Sequence, residues 1–239
     1  MKYKYKGESF SSIFELSKIM YKDTSFFASA IKEDKLLKFI SSCDENKAKE
    51  INKIRKLLLP DSVLVFKVTY ILNPYISFRF DNRVFNSYSE LGNAMLLLSP
   101  QMDNSLSDII SYSLIQEHMK STNFYSDNKD VYEELSRLQE ISLGDLPYEY
   151  FLVAYYLSKK ENIIFNKVEY PDLFSFIYYL NHSEYDKSTL GELLSHSAML
   201  KAYAKFGKEK NKVEEFIHLN NELEKSESSL KNFLTKTFK

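Results

Sequence analysis

One cysteine, five glycines, five prolines and no tryptophan occur in 239 residues, and each shortage removes a class of protein. Cys43 has no second thiol in the chain, so neither an internal disulfide nor a thiolate metal cluster can form, which fits a reducing compartment and places the chain in the cytoplasm. Phosphate-cradling and nucleophile-elbow motifs are built on glycine, and none of G-x-x-x-x-G-K-[ST], G-x-G-x-x-G or G-x-S-x-G is present. The longest unbroken apolar run, residues 150–157, is too short for a bilayer, so no membrane insertion is expected. Residues 1–9 are rich in lysine but lead into no apolar segment, so they do not read as a secretory leader. A formal net charge of -1 supplies no global field for polyanions, which argues against nucleic acid as the main partner.

What the chain does have is tyrosine and phenylalanine, 18 of each, arranged in a pattern that recurs. In Phe78-Arg79-Phe80-Asp81-Asn82-Arg83-Val84-Phe85, the central Asp-Asn pair tolerates the positive φ angles of a type I′ turn. The turn predicts a hairpin in which 80 faces 83 and 78 faces 85. Alternation then puts Phe78, Phe80, Arg83 and Phe85 on one face. Ser87-x-x-Glu90 follows as a capping box, so a helix is expected to begin near Tyr88. The same order of features lies 75 residues earlier, as Tyr3-Lys4-Tyr5, Lys6-Gly7, Glu8-Ser9-Phe10 and Ser12-x-x-Glu15. It recurs 85 residues later, as Ile163-Ile164-Phe165, Asn166-Lys167, Val168-Glu169-Tyr170 and a capping Asp172. Leu59-Pro60 and Leu146-Pro147 each open an apolar helical segment ahead of the second and third hairpins.

These coincidences predict a mostly helical α+β protein of three tandem units, 1–75, 76–160 and 161–239, each a two-stranded hairpin followed by three to four helices. Apolar spacings of three and four place helices at 13–21, 25–40, 45–58 and 61–72 in the first unit. The second carries them at 91–98, 106–120, 131–139 and 148–158, with Pro100 and 121–128 as breaks. The third has 173–181, 188–205 and a long 209–236. A lone hairpin is marginal in water, so the aromatic faces are expected to pack on these helices.

Candidate chemistry is sparse. His118, His182, His196 and His218 occur singly, and the pairs Glu117/His118 and Glu192/His196 are too few ligands for a metal. Neither a metal nor a cofactor is expected, and no catalytic residue is assigned. The terminal helix carries a heptad-like seam of Val213, Phe216, Leu223, Leu230 and Leu234, interrupted by Asn220 and Glu227. Repeated units without catalytic motifs read as a bacterial-type cytoplasmic adaptor or scaffold that binds another protein or a second copy of itself. Its expected contact residues are Tyr125, Tyr132, Tyr185, Tyr203, Phe216, Leu223 and Leu230, aromatic and apolar side chains that give large contact area. The alternatives are an enzyme whose site is assembled from sequence-distant residues, and a weak nucleic-acid-binding accessory protein. A polar cleft gathering histidines and acids would favour the first, and a basic strip the second.

Overall fold

A computed structural model describes residues 1–102, 104–121, 128–165, 167–182 and 190–218. The chain is mostly helical, and among the described residues there are three short antiparallel hairpins: β1 (Tyr3–Tyr5) with β2 (Glu8–Phe10), β3 (Phe78–Phe80) with β4 (Arg83–Phe85), and β5 (Ile163–Phe165) with β6 (Val168–Tyr170). Their registers are those the turn chemistry requires: Tyr3 opposite Phe10, Phe78 opposite Phe85, and Ile163 opposite Tyr170. Positive φ occurs at Lys6 and Gly7, at Asp81 and Asn82, and at Lys167, the described residue of the third turn. Primed turns require that conformation, and their twist matches the right-handed twist of the strands they join.

Four helices follow the first hairpin: α1 (Ile13–Met20), α2 (Thr24–Lys32), α3 (Asp34–Cys43) and α4 (Glu45–Ile54). A fifth, α5 (Asp61–Leu72), leads into the second hairpin. Beyond it come α6 (Tyr88–Met102), α7 (Asn104–Ser111), α8 (Leu114–Ser121), α9 (Lys129–Ser142) and α10 (Leu146–Ser158). The third hairpin precedes α11 (Leu173–His182), α12 (Leu190–Phe206) and α13, helical over 210–218 in the described part. Leu223 and Leu230 lie outside the described residues, as do Tyr125 and Tyr185.

Two expected helices are broken. The segment 25–40 splits at Glu33, whose backbone is extended at φ -85 and ψ 153. Arg55 holds that break, donating to the Lys32 carbonyl at 3.2 Å and to Asp34 Oδ1 at 3.0 Å. The segment 106–120 splits at Tyr112–Ser113, where Ser113 takes φ 49. Pro100 does not end its helix: it stands in the last turn, where its missing N–H removes a single rung of the ladder, and α6 continues to Met102.

The chain divides into two compact units. The first contains Met1–Glu90 and Asn104–Ile141, and the second Leu91–Asp103 and Ser142–Lys239. In the first unit, α5 is buried on most of its circumference, from Val63 through Leu72, because α1, α2, α4, α7 and α8 all pack on it. This explains a segment too uniformly apolar to show a polar face. Its one cation, Lys67, reaches the Glu117 carboxylate on α8. The first and second hairpins both belong to this unit, and each buries aromatic side chains in it. Tyr3 and Phe10 join a core with Leu16, Phe27, Phe39, Leu64 and Val68. The rings of Phe78 and Phe80 lie 5.2 and 6.1 Å from that of Phe66 on α5.

In the second unit, α10 packs along α12, and Phe165 and Tyr170 of the third hairpin lie 5.6 and 5.3 Å from the Phe176 ring of α11. Gly92 of α6 permits a close crossing with α10: a Cβ there would fall 2.5 Å from the Ser158 backbone nitrogen.

Candidate functional site

The second hairpin is joined to α5 by a buried hydroxyl. Tyr70 Oη donates to the Ser77 carbonyl at 2.8 Å and accepts from the Arg79 N–H at 2.7 Å. Tyr155 of α10 makes the corresponding pair with the third hairpin, donating to the Asn162 carbonyl at 3.4 Å and accepting from the Ile164 N–H at 3.3 Å. In both cases one hydroxyl satisfies the two backbone groups that flank the entry to a strand.

Beside the first of these latches lies His118 of α8, 3 % exposed. Its Nε2 faces the Ile76 carbonyl at 3.2 Å, and its Nδ1 faces Tyr88 Oη at 2.7 Å. A carbonyl only accepts, so Nε2 carries the proton and Nδ1 accepts from the tyrosine. The ring also meets Tyr70 edge-on at 4.6 Å and Phe78 at 5.4 Å. Burial disfavours the imidazolium and brings the pKa down to about 4, the Ile76 contact opposing this only in part. Burial likewise raises the Tyr88 phenol above its ordinary value.

A cavity of about 280 Å³ opens next to this pair, lined by Phe78, Phe85, Asn86, Tyr88, His118 and Asn128. Its floor follows from the hairpin register, which sets Phe78 opposite Phe85 on the inner face. Its rim follows from the helix cap: Ser87 Oγ accepts from the Glu90 N–H at 3.1 Å, and the Glu90 carboxylate accepts from the Asn86 N–H at 2.8 Å. The capping box is therefore displaced by one residue at its return bond.

A second depression, about 350 Å³, lies between α8 and α9, with Tyr112, Gln116, Lys120, Tyr132 and Gln139 on its walls. Tyr132 is half-buried there, with the Lys120 ammonium 5.1 Å from its ring centre. Tyr203, one of the expected contact residues, is fully buried and packed on Tyr155 at 6.0 Å. Its neighbours Ala202 and Ala204 are small, and Gly207 makes room for it, since a Cβ there would fall 2.1 Å from Tyr203 Cε2. Phe216 is half-buried on α13, where Val213 is fully buried. Of the expected contact residues, Tyr132, Tyr203 and Phe216 are thus the described ones, and Tyr203 is the one fully buried among them.

Exposed aromatics outside the expected set include Phe14, Phe26, Tyr75, Phe174 and Tyr178. Phe174 and Tyr178, one helical turn apart on α11, are 78 % and 57 % exposed. The signal is present in Leu173-Phe174-Ser175-Phe176-Ile177-Tyr178, which carries more large apolar residues than its buried pair Leu173 and Phe176. Among the described residues, no group of three or more histidine, cysteine, aspartate or glutamate side chains is arranged to hold a metal, and no helix is long and apolar enough to cross a membrane. No protein-family model, curated protein or solved structure is significantly similar to this chain.

Proposed function

We propose that the chain is a non-catalytic cytoplasmic scaffold of three tandem units, 1–75, 76–160 and 161–239, that binds another protein through the outer faces of its helices. The observation that carries the binding reading is the Phe174–Tyr178 pair, because large aromatics more than half exposed one turn apart on a helix are characteristic of protein contacts. The tandem reading is supported by the latches: Tyr70 and Tyr155 stand 85 residues apart, the same interval that separates Phe78 from Ile163 and His118 from Tyr203. His118 packs on the first latch tyrosine and Tyr203 on the second. A free, exposed Cys43 suits a reducing compartment.

The test is affinity capture from the native host with the wild type and with a Phe174→Ser/Tyr178→Ser double variant. A co-purifying protein that the wild type retains is expected to bind the variant at least roughly ten-fold more weakly, with the thermal transition unchanged, as exposed hot-spot truncation implies. Equal retention by both proteins would remove the α11 face from the account.

A further inference from the structure

We propose that the cavity beneath the second hairpin is a binding site for a small, neutral, planar aromatic molecule that carries one N–H or O–H donor. Its volume of about 280 Å³ accommodates a bicyclic ring and little more. Phe78 and Phe85, with ring centres 6.1 Å apart, supply apolar surface, and Tyr88 and His118 supply further ring surface. No described lining side chain carries a formal charge when His118 is neutral, so an ionic ligand would lose its hydration without a counter-charge.

The donor requirement follows from the tautomer. The Ile76 carbonyl fixes the proton on His118 Nε2, so Nδ1 accepts the hydrogen bond that the Tyr88 hydroxyl donates. The Tyr88 oxygen then has only acceptor capacity left, and a ligand with a single donor can use it. A donor-free aromatic hydrocarbon occupies the apolar space but leaves that lone pair unmet.

The experiment uses the full chain and indole as probe, with toluene as the donor-free comparison, followed by NMR. Indole is expected to give saturable shifts centred on Phe78, Phe85 and the His118 ring, and to bind roughly ten-fold more weakly to Tyr88→Phe, while toluene binding is unchanged by the substitution. The wild-type mapping does not depend on how well the variant folds. Absence of saturable indole binding, shifts centred elsewhere, or an equal effect of Tyr88→Phe on both probes would overturn the proposal.

Discussion

Tyr70→Phe is expected to destabilise the first compact unit by about 3 kcal/mol, although it removes one oxygen atom. The phenylalanine ring keeps the packing on Phe66 and His118, each with its centre 4.6 Å away. What is lost is the partner of two backbone groups at once, the Ser77 carbonyl and the Arg79 N–H. Tyr70 is 3 % exposed, so water does not readily replace the hydroxyl, and each buried group left unpaired costs about 1–3 kcal/mol. Denaturant unfolding checks this: the midpoint falls while the slope stays constant. Tyr155→Phe acts in the same direction in the second unit, by less, because its two bonds are longer at 3.4 and 3.3 Å.

His118 makes stability depend on pH over a defined window. Its pKa is about 4 in the folded protein against an ordinary value of 6.5, so on acidification the unfolded chain takes up the proton first. The His118 contribution is therefore fully present above pH 6.5, falls as the pH drops towards 4, and is lost below that. The full loss is about 3 kcal/mol, the free-energy equivalent of moving the midpoint from 6.5 to about 4 at ~1.36 kcal/mol per pH unit. His118→Gln is expected to lack this component. Asp23, held below the usual carboxylate range by the Lys6 ammonium and the Tyr5 hydroxyl, loses its own contribution on acidification in both proteins. The difference between the two pH profiles consequently isolates the histidine.

The hairpins were legible in the sequence because their signals are local. A two-residue turn that accepts positive φ, flanked by alternating aromatics and followed by a cap, leaves one register, and Asp81-Asn82 is found in it. The helix breaks at Glu33 and Ser113 were not legible, since the first depends on Arg55, more than twenty residues away. The latch hydroxyls were hidden for a different reason. Tyr70 and Tyr155 sit in segments that read as uniformly apolar, and nothing local marks which ring also serves the backbone of a later strand. His118 reads as a lone histidine, and its setting between Tyr88 and the Ile76 carbonyl is a product of packing. Tyr203 misleads because a tyrosine between alanines looks like a surface anchor until its helix is seen against α10.

The central structural claim is that each of these two strands is held to the preceding helix by a buried tyrosine hydroxyl. Native-state hydrogen exchange of the Arg79 and Ile164 amides tests it most directly. Protection close to that of the α5 and α10 helical cores is expected for both amides, with selective loss at Arg79 in Tyr70→Phe. Rapid exchange of either amide in the wild type would contradict the claim.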